Sequence, residues 1–313
     1  MINRRLIRIK ALQALYAFKK SEKPDFVHYN KEYEQSLQKT YEQYCMFFLL
    51  LTELQHFAFM RIDQIKNRNF TKDDTWQLLL PFAENKVLEQ LAHNKMLQKC
   101  ALDSKLSWNA PQNPVIKEIF NYVIETDWYK AYAESEKNYE NDKKFVRRLL
   151  SQVVYNTENV YLFFEDCSMY WNDADEYMLS MVEKTIRIFD EQNPQGGELM
   201  PLYKDADIQM FARNLFTETI QNWAAYNEYI VAALKNWDQE RIAEIDIILM
   251  QMAVTEAIQC AEIPVAVTLN EYIEIAKAYS TDKSSIFING ILHGVFATLQ
   301  RQNIIVKRGR GLL

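Results

Sequence analysis

The chain has 313 residues, 49% hydrophobic and 25% charged, a balance that excludes wholesale disorder. Only 6 Gly and 7 Pro occur, where average usage would give roughly 22 and 16; collagen-like repeats and turn-dense sandwiches or propellers need more punctuation than that. The formal net charge of -6 argues against a polyanion partner, but it averages an uneven chain.

Six basic residues (Arg4, Arg5, Arg8, Lys10, Lys19, Lys20) and no acid fall in the first twenty positions. Arg301, Lys307, Arg308 and Arg310, again without an acid, fall after position 300. Basic ends on an acidic body read either as contacts for nucleic acid or another acidic surface, or as two solvated termini. Cys45, Cys100, Cys167 and Cys260 are too far apart for a CxxC or metal-ligand pattern, so free thiols in a reducing cytoplasm are expected. The longest apolar run, Met46 to Leu51, is far short of the roughly 20 residues that cross a bilayer, and no membrane segment is expected.

In chain order, Asn3 to Lys20 (NRRLIRIKALQALYAFKK) predicts a helix with Ile7, Ala11, Ala14 or Leu15 and Phe18 on one apolar stripe. Arg4 and Arg8 share a face at i,i+4, with Arg5 beside them; like charges so placed repel. Phosphate binding would offset that repulsion, and a solubilising face is the alternative. Pro24 ends this segment, and Asn67 to Asp74, Ser107 to Pro114 and Asn193 to Pro201 read as connectors. The last holds two of the glycines and marks a boundary.

Shifted by 66 positions on itself, the chain pairs Phe145, Arg147, Leu149, Asn156 and Trp171 with Phe211, Arg213, Leu215, Asn222 and Trp237. This is either a duplicated helical unit or two amphipathic helices of similar design. No strand-like alternation persists, so the fold is expected to be all-α.

In the final third, Arg241 to Ala253 predicts a central core helix, in which Asp246 is either exposed at a rim or buried with a partner. Thr268-Leu269-Asn270-Glu271 reads as a capping box starting a helix to Tyr279. A further helix is expected over Ser285 to Arg301. Its Gly290 and Gly294, one turn apart, imply close approach of another backbone. Phe287 is either a core residue or a surface platform for stacking a base.

Enzyme signatures are missing. There is no GxGxxG, GxxxxGK[ST], HExxH or GxSxG, and His28, His56, His93 and His293 are widely separated. No catalytic residue, metal or cofactor is expected.

ALQALY (Ala11 to Tyr16) after the basic start, FARNLF (Phe211 to Phe216), RIAEIDIILMQMAVTE (Arg241 to Glu256), IPVAVTLNEYIEIAK (Ile263 to Lys277) and FINGIL (Phe287 to Leu292) together resemble the NusB family of transcription antitermination factors. The resemblance covers residues 1–20 and 203–300. It implies a NusB-like helical bundle formed by 1–20 and 203–313, interrupted by a large helical insertion, 21–202, that copies half a bundle if the internal repeat is genuine. It also implies a cytoplasmic, non-enzymatic factor that binds boxA-type RNA with the ribosomal protein NusE in a transcription elongation complex. The implied RNA-binding residues are Arg4, Arg5, Arg8, Tyr16, Lys277, Phe287 and Asn289, and Asp246 falls at a partner-binding position. Two departures stand out: Leu6 replaces a third consecutive Arg, and His293 replaces an Asp. The competing expectation is a helical protein-interaction scaffold, homodimeric and without RNA, in which the insertion supplies the partner surface.

Overall fold

The computed structural model describes residues 1–67, 74–109, 113–234 and 242–312. Fifteen α-helices occur among them and no strand. In chain order they are α1 (Arg4–Lys20), α2 (Phe26–Lys66), α3 (Trp76–Ala83), α4 (Lys86–Ala92), α5 (Lys95–Ser104), α6 (Pro114–Glu125), α7 (Asp127–Ala133) and α8 (Tyr139–Arg148). They continue with α9 (Glu158–Cys167), α10 (Asp175–Ile188), α11 (Ala206–Gln221), α12 (Trp223–Ala233), α13 (Glu244–Gln259), α14 (Val265–Tyr279) and α15 (Ser284–Arg301). The chain divides into two compact units: one of residues 38–202 with Met1, the other of 2–37 and 203–312 of the described chain.

In the first unit, asparagine starts many of the helices. Asn85, Asn94, Asn113 and Asn138 each accept a hydrogen bond from a first-turn N–H, at α4, α5, α6 and α8. Asn94 also donates to the Gln195 and Gly197 carbonyls, so one buried side chain both caps α5 and holds the 190s loop. Gly196 in that loop has φ +73, and a Cβ there would strike the Phe189 ring, so this turn requires glycine. The core is aromatic: Phe82 meets Phe120 at 5.4 Å and Phe145 at 5.0 Å, and Tyr132 stacks on Phe145 at 4.4 Å. Trp108 stacks on Phe163 at 4.3 Å and donates to the Met46 carbonyl at 2.8 Å.

Helix α2 has 41 residues and a stretch of mean hydropathy 1.3 over 18 residues, long and apolar enough to cross a membrane by those measures alone. Most of that stretch is buried inside the protein, including Cys45 through Phe48, as in a core helix. The sequence reading missed its length because polar residues such as Glu53 and Gln55 interrupt the apolar run.

In the second unit α13 is the axis, packed against α1, α11, α12, α14 and α15. Ile248, Leu249, Met250, Met252, Ala253 and Val254 are all fully buried, so the helix is enclosed around its whole circumference, and it carries Gln251, Thr255 and Glu256 into the core with them. The first turns of α2 join this unit: Tyr33 stacks on Phe216 at 5.1 Å and donates to the Ala212 carbonyl at 2.8 Å. The C-terminal segment is docked rather than frayed. Ile305 is buried, Lys307 Nζ donates to the Cys260 carbonyl at 2.9 Å, and the Arg308 N–H donates to the Ala261 carbonyl at 3.0 Å. Arg301, in the last turn of α15, is exposed. Arg241 and Trp237 lie outside the described residues.

The shift of 66 positions superposes whole elements: α9 falls on α12 and α10 on α13. Val160 and Tyr226, Phe164 and Ile230, Val182 and Ile248, and Ile186 and Met252 are buried pairs under that shift.

Candidate nucleic-acid interface

Asn3 caps α1, accepting from the Leu6 N–H at 2.8 Å. The buried stripe of the helix is wider than the sequence implies and includes Leu6, Ile7, Arg8, Lys10, Ala11, Leu12 and Leu15. Arg8 is therefore a core residue, 2% exposed. Its Nε and one terminal nitrogen donate to the two Glu256 carboxylate oxygens at 2.7 Å each, and the other terminal nitrogen reaches Glu271 at 3.2 Å. Thr268 Oγ1 and Tyr272 OH donate to the same Glu256 carboxylate, at 2.8 and 3.2 Å. Burial pulls the Arg8 pKa down, but the hydrogen bonds and charge of Glu256 outweigh it and hold the guanidinium charged. Two corrections follow. Arg8 is committed inside the fold and is not offered to RNA, because its donors and its charge are already matched. Thr268 and Glu271 form no capping box: α14 begins four residues earlier, after Pro264, and both side chains turn to Arg8 and Glu256.

Arg5 stands outside this core. It forms a two-point bond to Glu271, 2.9 Å on each arm, with half of its side chain in solvent. Burial would raise the Glu271 pKa, but Arg5 and Arg8 together lower it. The Arg4 guanidinium lies 5.7 Å and that of Arg8 5.4 Å from the centre of the Phe211 ring. The buried Nε of Arg4 has no hydrogen-bond partner among the described residues.

Asp246 is buried, and both its oxygens are used: Ser280 donates at 2.6 Å and Ser284 at 2.8 Å. It fastens the end of α14 to the start of α15 beneath α13. The expectation that Asp246 contacts a partner is corrected accordingly, because its carboxylate is out of reach and fully bonded. Glu244, two residues earlier, pairs with Lys20 in the last turn of α1. The first turn of α13 thus ties the C-terminal end of α1 to the α14–α15 joint.

That tie sorts the remaining residues. Tyr16 is 39% exposed and lies near the joint end of the bundle, together with Lys277 in the last turn of α14 and with Phe287 and Asn289 in the first turns of α15. Lys277 is exposed and paired with Glu274 at 2.6 Å, Asn289 is exposed, and Phe287 is half-buried. Arg4 and Arg5 lie at the other end of α1, about 17–18 Å along the helix from Tyr16 at 1.5 Å per residue. The expected set therefore divides into an arginine end and an aromatic end. Gly290 and Gly294 face outward, and among the described residues no atom outside their own helical backbone lies within 4 Å of where a Cβ would stand, so the close backbone approach expected there is not found among them. The sequence reading missed Glu256 and Glu271, one hidden in an apolar helix and the other read as a cap.

Residues 177–296 match the model of the NusB family. A protein of Salinibacter ruber named transcription antitermination protein NusB is 40% identical over 114 residues, which is 36% of this chain and 71% of that protein. The chain belongs to the NusB family. Two more NusB proteins of the same name agree: one from Chloroherpeton thalassium, 40% identical over 110 residues (34% of this chain, 52% of that protein), and one from Pelotomaculum thermopropionicum, 35% identical over 99 residues (32% and 69%). No solved structure matches. The NusB match takes in all of α10 but its first two residues, α11 to α14 and most of α15, and with them Asp246, Lys277, Phe287 and Asn289; it starts 26 residues before position 203, while α1 lies outside it. The arginines and Tyr16 join the NusB bundle through packing: Arg8 on Glu256 and Lys20 on Glu244 fix α1 against α13.

Proposed function

We propose that this protein is a cytoplasmic transcription antitermination factor that binds boxA-type RNA, with the ribosomal protein NusE as its protein partner in a transcription elongation complex. The observation that carries the reading is the 40% identity to a transcription antitermination protein across most of that protein's length. The exposed cations and the exposed Tyr16 ring on α1, with the half-buried Phe287 ring on α15, support it, because such groups hold single-stranded RNA. Arg4 and Arg5 supply phosphate contacts, Tyr16 and Phe287 stack bases, and Asn289 and Lys277 add polar and charged contacts. Arg8 acts indirectly by fixing α1. The proposed role is binding, with no chemical step. Residues 21–202 are read as an insertion after the first helix, the α8–α10 part of which copies α11–α13.

The test is binding of boxA-type and scrambled RNA across a salt series. Arg5→Ala is expected to weaken boxA binding and to reduce the magnitude of the salt slope by roughly one unit for one lost phosphate contact. Equal affinity for both RNAs, or a slope unchanged in Arg5→Ala, overturns the proposed interface.

A further inference from the structure

The last turn of α1 carries chemistry that the proposed RNA site has not used. Lys19 Nζ stands 4.3 Å above the centre of the Trp223 ring, and Lys20 Nζ lies 5.7 Å from the centre of the Tyr16 ring. Trp223 is half-buried at the start of α12, immediately after Asn222 closes α11. Lys20 is partly committed to Glu244, whereas no carboxylate pairs with Lys19 among the described residues. Two aromatic rings and two ammonium groups are thus gathered around one helical turn, next to the aromatic end of the candidate interface.

We propose that Trp223, with Lys19 beside it, is a second base-stacking position for single-stranded RNA, continuous with the one on Tyr16. The inference rests on the RNA-binding reading above and extends its track past the end of α1 onto α12. Three features select RNA as the occupant. An indole face accepts any base, because every base has a π-face. The ammonium already resting on the ring shows that the face attracts positive charge, and a base that displaces it leaves Lys19 beside the strand, where a phosphate takes it up. The position also adjoins the surface proposed to carry the same strand, so one extended ligand reaches both rings.

The experiment measures affinity by fluorescence anisotropy for boxA-type RNAs trimmed one nucleotide at a time from each end, with wild type, Trp223→Ala, Trp223→Phe, Lys19→Gln and Arg5→Ala. Trp223→Ala is expected to weaken binding of the full-length RNA by about 5- to 160-fold, the range for loss of one base–aromatic stack. Trp223→Phe is expected to restore most of that loss, and trimming one particular end should bring wild type down to the variant's affinity. Lys19 is exposed, so Lys19→Gln keeps the fold and should lower the magnitude of the salt slope by roughly one unit even if Trp223→Ala misfolds. If Arg5→Ala weakens binding while Trp223→Ala and Lys19→Gln match wild type on every RNA, the second stacking position is overturned and the RNA reading stands. If none of the variants changes binding, the RNA reading itself falls.

Discussion

Two arginines three positions apart on α1 have opposite fates. Arg8 is sealed against Glu256, while Arg5 shares Glu271 with solvent. Removing one member of a buried pair strands the other charge, so Glu256→Gln or Arg8→Met is expected to destabilise the second unit by about 3–5 kcal/mol. Arg5→Ala should cost under about 1 kcal/mol, as exposed pairs do. Urea unfolding of the variants checks both, and a similar cost for the two would show that Arg8 is not the structural one. A second residue-level prediction concerns Asp175 at the start of α10. Burial, helped by Glu165 and Asp173, pushes its carboxyl up to about 6 against the hydrogen bond from Gln43 at 2.5 Å. In the unfolded chain it ionises near 3.8, so over that interval the folded form holds the extra proton and stability falls as pH rises from about 4 to about 6. Asp175→Asn removes this slope. Melting should then occur at a higher temperature than wild type at pH 7.5 and at the same temperature at pH 3.5. Neither pairing was legible in sequence, since an Arg in a basic cluster and a Glu in an apolar helix look alike whether they meet or face water.

At the scale of elements, the glycines separate by what surrounds them. Gly290 and Gly294 have open space where a Cβ would stand, among the described residues, and lie inside a helix. Alanine at either position is expected to stabilise α15 by about 0.5–1 kcal/mol, read as a higher urea midpoint. Gly311 is the reverse: a Cβ there would fall onto the Ala261 carbonyl oxygen, so Gly311→Ala should loosen the docked C-terminal segment and lower the midpoint. The sequence showed the helices themselves, because their apolar periodicity is strong, but it mistook two signals that have a local and a tertiary use. Thr268 and Glu271 have the spacing of a cap and serve Arg8 and Glu256 instead; the glycines have the spacing of a helix contact and face outward.

For the molecule as a whole, the compact units divide after residue 202, where glycine and proline make a break legible in the sequence, although the NusB match crosses it from residue 177. The earlier division, at Leu37, was not legible, because α2 runs through it without a break and carries no Gly or Pro. If the second unit is the RNA-binding part, residues 2–37 joined to 203–313 by a flexible linker should unfold cooperatively and bind boxA-type RNA as the full chain does. Loss of cooperative unfolding in circular dichroism would show that residues 38–202 are needed to hold the bundle.

The pairing of α1 with α13 also sets an order of events during synthesis. Helix α1 is made first, yet its partners α11 and α13 are encoded more than 180 residues later. At the usual rate of about 5–20 residues per second, α1 waits roughly 10–40 s before α11 and then α13 can pack against Leu6, Ile7, Ala11, Leu12 and Leu15. Through that interval Arg8 keeps an unpaired charge in the middle of the apolar stripe, because Glu256 has not yet been made. The ion pair that fixes α1 therefore forms only once α13 has been made, so the helix and its lock are separated in time as well as in sequence.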